Sequence, residues 1–438
     1  MSVPLVLATK LSTGVTGQFR VGFNMHNWNW AGFVGPYFVS SGAKSVRNNG
    51  LYNGSTTDWS KCYIGGTTTP VQTMIDQALA DGMHITLCML PHGDVVSAYN
   101  TGQNAGWAIF CANVARANLS NVDKIVFECG NEPNCNLVTP QKYFAVLKAM
   151  SDAMQAVSPN VRISGPAINA SYNTPAINWI NTLMAIPGAI NCMTHGSFHP
   201  YYGTPEWSYI NDLKAFTQRM DAPVVAAGKS YEYIASEVGW SNAIGLLANP
   251  TIENRGSLGE THLQNTEVIA DYYSRYIPLC RGTAKLRKVD FYALKDENPG
   301  DPNFTNNGAH FGCIGTEDMS PKPSTPVAKD LIAHVHSAAG GVLFTRGSTD
   351  LVNTADWFLK LILPANRRLI AWNPSAAKVS RIVVHAAQAG NLSWNVAGST
   401  TKANISLVSG DNEVSIPIGK RSVVITANVN VDFPEFVE

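Results

Sequence analysis

Residues 124–133 read Lys-Ile-Val-Phe-Glu-Cys-Gly-Asn-Glu-Pro. Ile125 to Phe127 form the short β-branched and apolar run expected of a strand, and Gly130 closes it. Asn131 and Glu132 follow at its carboxyl end. Pro140 then opens a helical pattern in which Tyr143, Phe144, Leu147 and Met150 recur at three-to-four spacing. The segment is therefore one strand-then-helix unit that presents an amide and a carboxylate at the strand's end.

The same unit repeats on both sides. Runs beginning at Val21, Lys44 and Ile85 precede it, and runs at Arg162, Thr194, Tyr233 and Val289 follow, so the spacing predicts eight strands. Between them Val71, Met74, Ile75, Ala78 and Leu79 share one helix face, ended by Asp81-Gly82. Further helical patterns cover 104–118, 176–186, 206–219, 262–280 and 325–338. Eight strands alternating with helices predict an α/β fold, a (β/α)8 barrel over residues 12–340. No GxGxxG follows the first strand, which argues against a dinucleotide-binding sheet. From residue 341 to 438 helical periodicity gives way to short alternating runs broken by Gly, Asn, Ser and Pro. That texture predicts a smaller C-terminal antiparallel β-sandwich, joined by a strand drawn from residues 1–11, in the stretch Val3 to Ala8.

Of the 438 residues, 31 are Lys or Arg and 31 are Asp or Glu, so the formal charge is zero. Nucleic-acid and anionic-membrane binding are thereby disfavoured. Charged residues make up 14%, against about 25% in ordinary soluble domains, leaving a surface of Asn, Ser, Thr, Gly and aromatic groups suited to hydroxyl-rich ligands. No run of 18 apolar residues predicts a membrane span. MSVPLVLATKLSTG lacks a basic leader and is a poor signal peptide. The eight cysteines form no CxxC pair, and inert thiols are expected at Cys88, Cys129 and Cys135, although Cys129 and Cys135 would be free to bridge in an oxidising compartment. The oligomeric state cannot be read from the chain.

In a barrel of this kind reactive groups sit at the carboxyl ends of strands. Glu132 ends the fourth strand and Glu237, in ASEVGW, ends the seventh. Two carboxylates meeting in one cleft are the minimum equipment for breaking a glycosidic bond, one as proton donor and one ionised. Glu128 points to the same side as Glu132 in an alternating strand and is its competitor, though deeper in the barrel.

FECGNEPN and ASEVGW resemble the two signatures of the clan-A retaining glycoside hydrolases, and the close of the barrel at residues 310–325 with its β-domain is most like the family 39 type. The resemblance implies that Glu132 is the acid/base and Glu237 the nucleophile, about 5–5.5 Å apart. It implies that Arg47 and Tyr201 support Glu237, that Asn131 holds the sugar 2-hydroxyl, and that His199 completes the subsite. Where the clan usually places a Trp at the end of strand eight, this chain offers Phe291 and Tyr292. Trp28, Trp30 and Trp240 are candidate sugar platforms, His92 and Lys295 candidate cleft contacts.

His195 and His199 have zinc-pair spacing, but a strand does not bring i and i+4 residues together, so no metal and no cofactor are expected. No GxSxG elbow marks a serine nucleophile. The resulting expectation is a retaining hydrolase of β-glycosidic bonds in an oligo- or polysaccharide, endo-acting, in a secreted or periplasmic setting with the cytoplasm as alternative. An exo-acting β-glycosidase and a non-catalytic carbohydrate-binding barrel are the rival readings.

Overall fold

The computed structural model describes residues 7–25, 35–52, 57–63, 69–91, 104–135, 138–169, 174–201, 203–241, 266–294 and 321–437. Strand β1 is Thr9–Thr13. Eight parallel strands then close into a barrel: β2 (Arg20–Asn24), β3 (Ser45–Tyr52), β4 (His84–Pro91), β5 (Ile125–Cys129), β6 (Arg162–Asn169), β7 (His195–His199), β8 (Glu232–Val238) and β9 (Leu286–Phe291). The ring closes where Arg20 on β2 registers with Lys288 on β9. All eight expected strands are present within a few residues of their predicted starts.

β5 is buried along its whole length because parallel barrel strands are covered on both faces, which is why its sequence is a continuous run. The helix after it, Pro140–Val157, starts where Thr139 accepts the Lys142 amide at 3.3 Å and Pro140 needs no donor. Its buried face is Tyr143, Val146, Leu147, Met150 and Met154. The helix expected at 206–219 runs from Pro205 to Ala226 and contains a π-helical stretch over Tyr209–Lys214.

The barrel interior is not purely apolar. Asn24, Ser45, Arg47, Thr86, Glu128, Lys288 and Asp290 are all buried within it. Asp290 accepts from Ser45 and, at 3.3 Å, from Thr86, and lies 3.4 Å from the Lys288 ammonium. Burial raises the Asp290 pKa and lowers that of Lys288, each opposed by the other's charge.

The C-terminal strands are β10 (Gly340–Arg346), β11 (Asp356–Ile362), β12 (Arg367–Trp372), β13 (Lys378–Ala386), β14 (Gly390–Val396), β15 (Ala403–Leu407), β16 (Gly410–Ile418), β17 (Val423–Ala427) and β18 (Val431–Asp432). They form a seven-stranded sheet in the order β1-β10-β11-β12-β17-β14-β15 and a three-stranded sheet in the order β16-β13-β18. Alternation on β11 explains how the large sheet is shared. Trp357, Leu359 and Leu361 belong to the core continuous with the barrel, whereas Phe358 between them belongs to the sandwich interior. β13 and β16 show the contrasting exposed-and-buried alternation of strands with one face in water.

An N-terminal strand joins the C-terminal sheet. Thr9–Thr13 pairs antiparallel with β10, and residues 1–6, which hold most of the expected stretch Val3 to Ala8, lie outside the described residues. Among the described residues no helix is long and apolar enough to cross a membrane.

Candidate active site

Glu132 and Glu237 meet at the carboxyl ends of β5 and β8. One oxygen of each and one ring nitrogen of His199 all lie within 4.8 Å of one another. Glu132 sits just past its strand at φ 43°, in the left-handed region that a non-glycine residue rarely adopts. Its amide donates to the Ala167 carbonyl at 3.0 Å, and Ala167 itself has φ 49°. Two such residues joined at a strand end mark backbone held by its surroundings in order to aim a side chain.

Arg47, buried on β3, organises the cluster. Its Nε donates to Glu128 Oε2 at 2.6 Å, Nη1 donates to Asn24 Oδ1 at 2.9 Å and to Glu237 Oε1, and Nη2 donates to Asn131 Oδ1 at 2.8 Å. Burial opposes its charge, but Glu128 and Glu237 outweigh that and hold its pKa well above the ordinary value. A single guanidinium thus bridges two carboxylates and fixes two amides, using the fork that lysine lacks. Accepting from Arg47 turns the Asn131 amide so that its NH2 end faces away from the cation.

On the other side, Tyr201 donates to Glu237 Oε2 at 2.8 Å. Burial, then Glu237 and Glu132, push the Tyr201 phenol far up, so it remains a donor. His199 Nδ1 is 2.9 Å from Glu132 Oε1 and 3.6 Å from Glu237 Oε2. His199 Nε2 is buried with no hydrogen-bond partner among the described residues, which fits a proton on Nδ1 donated to Glu132.

The turn that carries Tyr201 is clamped from three directions. Ser208 donates to the Pro200 carbonyl at 3.0 Å, and Trp240 Nε1 donates to the Gly203 carbonyl at 3.0 Å. Glu206 is fully buried and accepts from Arg275 at 3.0 Å and from Trp372 Nε1, on β12, at 2.8 Å. Burial raises the Glu206 pKa against the pull of Arg275. Trp372→Phe keeps the stacking on Trp357 but removes a donor from this carboxylate. It is expected to lower stability by about 1–3 kcal/mol, read by equilibrium urea unfolding.

The structure therefore brings together Glu132, Glu237, Arg47, Asn131, His199 and Tyr201. Tyr292 joins them, its ring edge-on to Tyr201 at 6.4 Å between centroids. Phe291 does not, since it stacks on Tyr273 at 4.2 Å in the core. Trp240 is a correction. It is 1% exposed, caged by Tyr272, Tyr273 and Tyr276, and presents no face to a sugar. Its position three residues past Glu237 suits bracing of the Tyr201 turn instead. Trp28, Trp30, His92 and Lys295 lie outside the described residues. Glu128 is fully buried and held by Arg47, below the mouth.

His195 and His199 occupy opposite ends of β7, about 13 Å apart at strand rise, so they share no site. Cys88, Cys129 and Cys135 are free thiols, the last exposed. Sequence reading missed Asn24. The signal was a polar residue ending an apolar first strand, in register with Arg47.

No family profile and no curated protein matches the chain by sequence. Solved structures do match by shape. A family 39 glycoside hydrolase from the gut symbiont Bacteroides cellulosilyticus WH2 superposes with TM-score 0.65 at 14% identity, over 93% of this chain and 81% of that one. A monomeric β-xylosidase from Caulobacter crescentus CB15 gives 0.58 at 12%, over 96% and 97%. A family 30 subfamily 8 xylanase from Clostridium acetobutylicum gives 0.59 at 13%, over 96% and 97%. By architecture, then, the chain is a (β/α)8 barrel with a C-terminal antiparallel β-domain, the fold it shares with these glycoside hydrolases.

Proposed function

We propose that the protein is a retaining β-glycoside hydrolase with Glu132 as acid/base and Glu237 as nucleophile. The observation that carries this is the approach of the two carboxylates to within 4.8 Å at one strand-end mouth, with a guanidinium on one of them only. Inverting enzymes need about 6.5–9.5 Å to admit a water between the groups, whereas retaining ones work at about 5–5.5 Å.

The asymmetry supports this division of roles. Arg47 and Tyr201 stabilise negative charge on Glu237, keeping it ionised for attack on the anomeric carbon. Glu132, steadied by His199, carries the proton that the departing oxygen needs. It then withdraws a proton from the water that cleaves the glycosyl-enzyme. Asn131, its amide oriented by Arg47, would offer its NH2 to the sugar 2-hydroxyl, and Tyr292 would border the same pocket. The two glutamates and His199 also form a donor set for a divalent cation, but the guanidinium bonded to Glu237 opposes a second positive charge there. Activity unchanged in EDTA is the corresponding expectation.

Proton NMR of the first product from aryl β-glycosides provides the test. Release of the β-anomer before mutarotation supports double displacement, α-anomer release refutes it, and sugar binding without cleavage assigns the barrel to recognition. Products from xylan and β-glucan then separate endo action, which we favour, from exo action.

Tyr201→Phe removes one donor from the nucleophile while leaving its ring in place. The expected result is a fall in kcat of about 10²-fold. The acid limb of the kcat/KM profile should also move to higher pH, because losing a hydrogen bond to the ionised form raises the pKa of Glu237.

A further inference from the structure

The opposite end of the barrel carries a concentration of charge that the catalytic reading does not use. Arg20, Arg162 and Arg287 stand at the amino-terminal ends of β2, β6 and β9 around a small pocket of about 40 Å³. Lys124, just before β5, and the buried Lys288 complete five cations on its lining. Glu232 is the one carboxylate lining it, bonded to Arg287 at 2.6 Å. The Lys288 ammonium is turned into the barrel, bonded to Thr86 and 3.4 Å from Asp290, so it contributes charge and no contact, and Asp123 acts on Arg20 from outside the lining.

This is five of the chain's 31 cationic residues around one opening in a protein of zero net charge. Their mutual repulsion is visible: burial, then Arg162 and Arg287, lower the Arg20 pKa. His84 and His195, which open β4 and β7 onto the same pocket, are each driven down to about 3 by burial and by the surrounding Arg and Lys charges. Both rings are therefore neutral; His195 is engaged by Thr194 Oγ1 at 2.8 Å and lies 3.7 Å from Glu232, which leaves His84 as the donor that adds no charge.

We propose that this mouth binds a single oxyanion, a phosphate or sulfate group, held by Arg20, Arg162 and Lys124 with His84 as a neutral donor. A pocket of about 40 Å³ is on the scale of one such group. A planar guanidinium fork matches its oxygens, and anion binding relieves the repulsion that the fold otherwise confines. The group comes either from free inorganic anion or from an ester on a sugar. The inference depends on the barrel's far face and stands whether or not the glutamate pair hydrolyses glycosides.

Thermal unfolding at matched ionic strength tests it. Inorganic phosphate or sulfate should raise Tm saturably by about 3 °C over sodium chloride. Glucose 6-sulfate doing so at lower concentration identifies the ester as the source; the inorganic ion acting alone identifies the free anion. An Arg20→Gln/Arg162→Gln double variant, far from the glutamate pair, should fold and lose the shift, whereas Glu232→Gln should bind several-fold more tightly. Histidine NMR should show the His84 titration moving up when phosphate is added. No saturable shift with any of these anions, or a shift unchanged in the double variant, overturns the proposal.

Discussion

Glu237→Gln is expected to lower kcat on an aryl β-glycoside by about 10⁵-fold or more, with circular dichroism and Tm close to those of the parent. Glutamine keeps the size and an acceptor for Tyr201 but cannot attack, and it removes the charge that Arg47 faces. Glu132→Gln should behave differently, and the difference identifies the pair. With a dinitrophenyl leaving group, which departs without protonation, the first step needs little acid. The expected kcat/KM is then near parental while kcat collapses, because no base activates water and the glycosyl-enzyme accumulates. With a sugar leaving group the loss should reach about 10³–10⁴-fold in both. Intact-protein mass spectrometry should trap the adduct in the Glu132 variant and not in the Glu237 variant. Parental turnover in either variant removes the assignment.

Arg47→Leu carries the second large effect, on stability as well as activity. The guanidinium bonds both Glu128 and Glu237, and both carboxylates are buried. Removing one partner of a buried ionic cluster leaves charge uncompensated and costs about 3–5 kcal/mol, measurable by urea unfolding. The remaining activity should show its acid limb at higher pH, since without the cation Glu237 ionises less readily. Adding Glu128→Gln should restore much of the stability, because it removes the deeper unpaired charge, but none of the activity. Full stability in Arg47→Leu alone would mean that the ion pairs contribute nothing to the fold. Recovery of activity in the double variant would mean that Arg47→Leu fails through the stranded Glu128 charge and not through lost support of Glu237.

How much of this was legible in the chain depends on how local the signal is. Parallel strands buried on both faces leave continuous runs such as Ile125 to Phe127, and their alternation with helices is a repeating one-dimensional pattern, so the barrel was readable. The same holds for Glu132 and Glu237, each marked by its own strand end. Trp240 misled because its position after β8 is shared by open and buried aromatics. Only the packing of Tyr272, Tyr273 and Tyr276, from a helix that begins at Thr266, decides which it is. Asn24 was passed over because a lone Asn in an apolar strand gains meaning only when Arg47 registers beside it. The pairing of the N-terminal strand was not legible in the same way, since its partner lies more than 300 residues away on β10.

The amino-acid order alone determined the number and sequence of the barrel elements, the change to β texture near residue 340, and the two acidic strand ends. Those are consequences of hydrophobic periodicity and turn chemistry, which act between neighbours in the chain. Folding in three dimensions decided which carboxylate receives the guanidinium, how β12 reaches the turn behind Tyr201 through Trp372 and Glu206, and that basic residues from separate strands gather at the far mouth. Charge interacts through space and is strengthened by burial, so its arrangement exists only once distant segments have been brought together and water excluded between them.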